Sequence, residues 1–415
     1  MSVEGTSQLS VLRHRSFAFF WLSRVAGSLA MQMQTVAVSW QIYELTNSPF
    51  DLGLVGLAQF LPLVSLMLVA GHVADRYDRK TIVRISQVVD GAAMAILAAG
   101  TAGGWLTREW ILAAVFVFGA ARAFQQPTQQ TLLPLIVPAS LLSRAVAASS
   151  SSNQIATIVG PAIGGLLFAV SAPLVYALCA LFYFGAAVLT SLIKVERTPP
   201  NRAPVTFETV FAGIAYIRKQ PVVLGAITLD LFAVLLGGAT ALLPIFARDV
   251  FDTGPWGLGL LRLSPAVGAL AMSILLARWP MHRNAGPVMF AAVACFGAAT
   301  IVFGLSTSFA LSMFALAVLG ASDMVSVVIR QTLIQLGTPN EMRGRVSAVN
   351  SLFIGTSNQL GDFRSGLTAE WFGTIPSVLI GGIGTLIVVA ASLKLFPQLA
   401  RIDSVEDVRK DAASS

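Results

Sequence analysis

Five ionisable side chains stand deep in apolar text in this 415-residue sequence: Arg24, Asp90, Arg122, Asp230 and, nearer one end of its run, Asp323. A charge in hydrocarbon costs about 3 kcal/mol on insertion scales, so each must face the interior of a helix bundle or a water-filled cavity. A carboxylate tuned by burial or by a neighbouring arginine is the usual arrangement for a group that takes up and releases a proton. The three histidines, His14, His72 and His282, all fall in polar segments, so a proton relay has to use carboxylates. Asp230, in "ITLDLFAVLLGGATALLP", leads because no charge stands close to it in sequence. Asp323 comes second, since a salt bridge to an arginine would keep it ionised, and Asp90 serves equally well as a structural partner for Arg24. Arg262, Asp362 and Arg364 lie toward the far ends of their runs.

The elements that must position these groups follow from composition. With 55% hydrophobic and only 11% charged residues, the chain lies far from the roughly 25% charged typical of soluble domains. It reads as an all-α polytopic membrane protein, and twelve spans of about 20 residues plus short turns fit its length. Apolar runs fall near 17–43, 50–70, 81–100, 110–133, 146–170, 172–193, 222–246, 257–279, 286–304, 309–330, 346–366 and 374–395. The first run lacks a small-residue cleavage site and is read as a retained span. Basic residues fix the orientation: both termini in the cytoplasm leaves only Arg108 and Arg248 outside. That bias also accounts for the net charge of +7, through attraction to anionic lipid headgroups and without nucleic acid. Arginine far outnumbers lysine and alanine is abundant, which fits a bacterial cytoplasmic membrane. Cys179 and Cys295 both lie in apolar runs with no CxxC or Cys/His cluster, so neither metal nor cofactor is expected.

The second half repeats the first. At an offset of 201 residues Gln130 meets Gln331, Thr131 meets Thr332, Pro138 meets Pro339, Arg144 meets Arg345 and Gly160 meets Gly361, without a gap. Two homologous six-helix bundles are expected, 1–193 and 222–396, joined by a cytoplasmic linker, 194–221, and followed by a tail, 397–415. The linker is Pro-rich and then amphipathic, with Phe207, Val210, Phe211, Ile214 and Ile217 on one stripe, as for a helix lying at the membrane surface. Halves repeated in this way enclose a central cavity where a solute binds. Arg122 then occupies the place that Asp323 holds in the other half. Gln34, Phe124, Phe232 and Asn358 are candidate cavity residues, the amides as donors and acceptors and the rings as adaptable apolar surface. Packing within the bundle explains each of the four equally well.

Three motifs carry a resemblance. "GHVADRYDRK" reads G-x-x-x-D-R-x-x-R-K, with Gly71, Asp75, Arg76, Arg79 and Lys80 as candidate gating residues between spans two and three. Arg122-x-x-Gln125 lies in span four, and "GPAIGG", with Gly160, Pro161, Gly164 and Gly165, lies in span five. Together with "DMVSVVIRQTLIQ" these make the chain, from about residue 9 to 400, resemble the major facilitator superfamily, in the branch of the enterobactin exporter and of bacterial multidrug and secretion proteins. The resemblance implies alternating access, proton transfer through the span-four arginine and an antiporter motif in span five. It also implies a carboxylate where Arg364 stands, so the charge reversal puts any coupling role of span eleven in doubt. Asp78 stands where the family pattern has glycine, and Pro127 departs from the small-residue ending of the span-four motif.

The expected function is secondary active export of small amphiphilic molecules, siderophore- or drug-like, by proton antiport. The partners are then the solute, protons and membrane lipids, with the chain a monomer. An importer or lipid flippase of the same fold is the nearest alternative, and a non-transporting sensor or a channel is the alternative from another class. No HExxH, GxSxG or GxxxxGK[ST] pattern occurs, so neither an enzyme nor an ATP-driven pump is expected.

Overall fold

The computed structural model describes residues 14–195, 207–279 and 283–403, and within its helices the side chains of a few residues, Asp75 among them, lie outside the described set. Helices account for nearly all of this, and there is no strand among the described residues. In hydrocarbon every backbone N–H and C=O must be satisfied within the segment, so apolar runs of this length become helices. Six of them come first: α1 (Arg15–Thr46), α2 (Pro49–Arg76), α3 (Arg79–Ala102), α4 (Arg108–Ile136), α5 (Leu142–Val170) and α6 (Ala172–Ser191). The short α7 (Phe207–Lys219) leads into α8 (Pro221–Gly237), α9 (Gly254–Arg278), α10 (Ala285–Leu305), α11 (Phe309–Leu336), α12 (Asn340–Phe372), α13 (Thr374–Leu395) and the single turn α14 (Pro397–Ala400). The twelve long helices agree with the expected spans to within a few residues at most ends. Among the described residues, nine are long and apolar enough to cross a membrane by length and composition. The other three, α1, α4 and α12, carry Arg24, Arg122, and Asp362 with Arg364 respectively.

The chain forms two compact units, Met1–Leu45 with Ala58–Val205, and Thr46–Leu57 with Thr206–Ser415. In the first, α5 lies directly on α1 through the small residues of "GPAIGG". A Cβ on Gly164 would stand 2.8 Å from the Met33 Cα and 2.9 Å from its carbonyl oxygen, and one on Gly160 would stand 2.5 Å from the Gln32 Cβ. Backbone cannot move aside as a side chain can, so Gly164→Leu is expected to wedge the helices apart at a cost of about 1–3 kcal/mol or more. A lowered melting midpoint in detergent, absent in the nearby Ile163→Leu, would show it. A buried network of Ser23, Gln87 and Thr190, with bonds of 2.8 to 2.9 Å, ties α1, α3 and α6 together.

In the second unit the expected continuous span over 222–246 is broken. α8 stops at Gly237, Gly238 turns the chain at φ −62° and ψ 65°, and a 3-10 turn, one α turn and a π turn over 246–250 follow. Two adjacent glycines and then Pro244, which has no N–H to give, make this the weakest point of the run. The carbonyls released there are taken up by α12. Arg364 donates to the Leu236 oxygen, and the Ser365 hydroxyl donates to the Gly238 oxygen at 2.6 Å. The linker helix packs on its own unit. Ile214 and Ile217 pack against Val223, Ile227, Ile334, Val346 and Val349, and the Tyr216 hydroxyl donates to the Gly337 oxygen at 2.9 Å. Protein therefore covers the part of its apolar stripe that lies among the described residues, apart from Phe211, which is exposed.

Candidate substrate and proton site

The first unit holds an open cavity of about 230 Å³ lined by all six of its helices. α1 supplies Arg24, Ser28, Met31 and Gln34, which follow one another at helical spacing along a single face. α4 supplies Phe118, Arg122, Gln125, Gln126, Gln129 and Gln130, again one face, since residues three and four apart lie above one another. Asp90 enters from α3, Gln59 from α2, Asn153 from α5 and Tyr183 from α6. Pro127 sits inside α4 without ending it; the Thr128 hydroxyl donates to the Phe124 oxygen at 2.6 Å, one turn earlier.

Charge in this cavity is unbalanced. Two guanidiniums, Arg24 and Arg122, face one carboxylate, Asp90. Asp90 interacts electrostatically with Arg122 rather than with Arg24. Its residue is only 4% exposed, and its buried Oδ1 has no hydrogen-bond partner. Within the unit neither guanidinium makes a hydrogen bond or an ion pair among the described residues. Orphaned polar atoms at such depth are costly, and a polar cavity is where they are tolerated. Gln34, expected as a cavity residue, is there, with its Oε1 accepting from the Tyr183 hydroxyl at 3.0 Å. Phe124 is half-buried on α4 but is not part of the lining.

The second unit arranges its charges differently. Asp230 forms an ion pair with Arg330 of α11, both residues nearly inaccessible at 5% and 2% exposure. The lack of a charge close to Asp230 along the sequence therefore does not carry over into space. α11 brings the guanidinium across from a hundred residues away. Asp323, ranked second because a salt bridge would keep it ionised, has no ion pair within its unit among the described residues. It borders a void of about 10 Å³ with Asp230, Phe296, Ser322 and Ser326, room for no more than one water. Arg262 and Asp362 interact electrostatically. Phe232 is exposed on α8, and the exposed Asn358 spends its amide on the Ile354 carbonyl at 2.8 Å.

The loop between α2 and α3 is tied to its neighbours. Asp78, the departure from the family pattern, caps α3 by accepting from the Thr81 N–H at 3.0 Å and the Thr81 hydroxyl at 2.7 Å, as an N-cap aspartate does. Lys80 donates to the Ile193 oxygen at 2.8 Å and Arg79 to the Thr131 oxygen at 3.4 Å. Arg76 is exposed at the end of α2, where Gly71 lies about a turn and a half earlier, and the side chain of Asp75 lies outside the described residues.

Sequence reasoning passed over Tyr183, Arg330 and most of the glutamines. The glutamines left a signal, because "QQPTQQ" repeats at a spacing of four and so stacks on one helix face. Arg330 left a weaker one, seven residues and so about two turns beyond Asp323 on the same helix.

Comparison with known proteins places this geometry. Macrolide efflux protein A of Streptococcus pyogenes is 24% identical over 405 residues, 93% of this chain and 97% of its own. The enterobactin exporter EntS of Escherichia coli is 26% identical over 402 residues, 95% of each chain. The solved structure of the nucleoside transporter NupG matches with a TM-score of 0.70 at 14% identity, over 92% of this chain and 99% of that one. A D-xylose-proton symporter matches with a TM-score of 0.70 at 13% identity, over 92% and 98%. At such identities the two structures speak for the fold alone, which is that of the major facilitator transporters. The family model described as transmembrane secretion effector matches residues 6–413, and the chain belongs to that family of multi-pass membrane transporters, not to the enzymes.

Proposed function

We propose that this protein is a secondary active exporter of small amphiphilic molecules, siderophore- or drug-like, that works by alternating access and exchanges its solute for protons. The observation that carries this reading is the cavity of the first unit, where, among the described residues, Asp90 is the one carboxylate in the lining and keeps a buried oxygen without a partner. A proton and a hydrogen-bond donor of the solute compete for that carboxylate. Competition for one site is what exchange in opposite directions requires, because each ligand must lower the affinity for the other. Arg122 holds the unprotonated form by charge and is released when Asp90 takes its proton. The efflux proteins among the relatives support the outward direction. Asp230, with Arg330 against it, serves in this reading as a structural charge, and Asp90 replaces it as the proton carrier.

The gating residues Arg79 and Lys80 latch the α2–α3 loop to carbonyls on α4 and just beyond α6. Gly160, Pro161, Gly164 and Gly165 keep α5 close against α1. Both termini are assigned to the cytoplasm, with the two six-helix halves as the moving bodies.

The test is transport in proteoliposomes under an imposed pH gradient, with a panel of siderophores and amphiphilic drugs. Uptake into acid-loaded, inside-out vesicles that collapses with a protonophore is the expected result, and gradient-independent uptake would overturn the reading. Arg122→Ala is expected to reduce gradient-driven uptake to background, and Arg122→Lys to restore it only in part, since an ammonium lacks the planar five-donor fork. A wild-type rate in Arg122→Ala would return the residue to a packing role.

A further inference from the structure

We propose that the solute presents to this cavity an uncharged, oxygen-rich head group, with hydroxyls beside carbonyl or ether oxygens, which is read by a ladder of amides on α4. Gln125, Gln126, Gln129 and Gln130 all line the cavity, two pairs one turn apart. Within the unit none of the four has a hydrogen bond among the described residues. By contrast Gln34 is engaged by Tyr183 and Asn153 by Ser28, at 3.0 Å each. Gln126 and Gln130 are exposed and Gln125 and Gln129 half-buried, so their amides are open to whatever enters the cavity, where leucine would offer no polar contact. Four uncommitted amides on one face therefore point to a ligand.

Each glutamine brings two N–H donors and a carbonyl acceptor, with no net charge. Such a row satisfies a partner that itself alternates donors and acceptors, as sugars, polyols and hydroxylated lactones do. A cationic head group fits poorly, because Arg24 and Arg122 outnumber Asp90. An anionic one fits the guanidiniums but not the exchange. Protonating Asp90 would make the cavity more positive and draw an anion in together with the proton. A hydroxyl, in contrast, loses its charged acceptor when Asp90 is protonated, so it competes with the proton. This last step rests on the exchange reading proposed above. At about 230 Å³ the cavity is smaller than the roughly 300–1,000 Å³ of a pocket for a whole drug-sized ligand, so it holds a head group and not the full amphiphile.

The test uses three probes of similar size on the full chain in nanodiscs: 4-methylumbelliferyl glucoside, which is neutral with a sugar and a lactone, 4-methylumbelliferyl sulfate, an anion on the same ring, and tetraphenylphosphonium, a lipophilic cation. Equilibrium binding of the wild type is expected to favour the glucoside by about tenfold or more. In Gln126→Leu/Gln130→Leu, glucoside binding is expected to fall by about tenfold while tetraphenylphosphonium is unaffected. Equal or tighter binding of either charged probe by the wild type overturns the proposal without reference to any variant. Unchanged glucoside binding in the folded double variant overturns it as well. If the glucoside binds through the glutamines equally well at every pH, the head-group assignment stands and the proton-exchange reading falls.

Discussion

Asp90→Asn is expected to uncouple transport from the proton gradient while leaving a folded protein that still binds solute. Asparagine keeps the shape and one carbonyl acceptor but cannot titrate, so the exchange partner is lost and the cavity is not. Each pH unit is about 1.4 kcal/mol per proton, so a gradient of about two units can hold a solute ratio near 100 under one-for-one exchange. In Asp90→Asn that ratio is expected to fall to about 1, with downhill counterflow of labelled solute retained. Under the proposed exchange, in which proton and solute compete for Asp90, apparent solute affinity of the wild type should weaken as pH falls, and this slope should be flat in the variant. Arg122, beside Asp90 on the same cavity, should then show a second effect. Asp90→Asn/Arg122→Gln is expected to be no worse than Asp90→Asn alone for gradient-driven uptake, since in the proposed exchange the guanidinium acts on coupling through the carboxylate. Gradient-driven uptake at the wild-type ratio in Asp90→Asn would remove Asp90 from the mechanism.

The second large effect concerns stability. Arg330 and Asp230 are paired with almost no exposure, and the Nε of Arg330 has no further partner. Taking away one member of a buried pair leaves an uncompensated charge, at a cost of about 3–5 kcal/mol, whereas replacing both with neutral groups of similar size is often near neutral. Arg330→Leu is therefore expected to lower the melting midpoint in detergent sharply, and Asp230→Asn by a smaller margin. Asp230→Asn/Arg330→Gln should recover most of the loss. Simple additivity of the two single changes would show that the pair is not coupled. The double variant also separates the two aspartates. If it folds and keeps gradient-driven uptake, Asp230 is structural. If it folds and loses uptake while Asp90→Asn keeps it, the proton carrier is Asp230 after all.

Arg364 shows how a residue that looks anomalous in a pattern can be ordinary in its surroundings. A carboxylate was the expected charge there. In the fold, the guanidinium meets the carbonyl end of α8, where the chain breaks after Gly237 and the last backbone oxygens have no helical partner. Cations are favoured at helix C-termini and carboxylates are not. The reversal of sign follows from the break, and the break follows from two glycines and a proline over 237–244.

Much of this molecule was legible before any coordinates. Spans, repeat and family motifs are periodic or local signals: runs of apolar residues long enough to cross hydrocarbon, glycines spaced by four on α5, and basic residues gathered in alternate loops. They survive folding because each depends on its own segment and on the solvent around it. The arginine of span four was expected to face the bundle interior or a wet cavity, for no buried guanidinium can face lipid cheaply, and Arg122 is among the lining residues of the first unit's cavity.

What only the tertiary structure decided is which charges meet. Asp90 lies 32 positions before Arg122 in sequence and Asp230 a hundred before Arg330, and nothing in either segment states the rotation of one helix against the next. Helix faces are set by packing: Gly164 against Met33 positions α5 on α1, and the break at Gly238 positions α8 on α12. A shift of one residue in either contact would turn a side chain by about 100°. Composition therefore determined that this chain is a bundle of membrane helices with charges it has to shelter, and close packing between backbones determined that Asp230 is spent on Arg330 while Asp90 is left with an oxygen to offer.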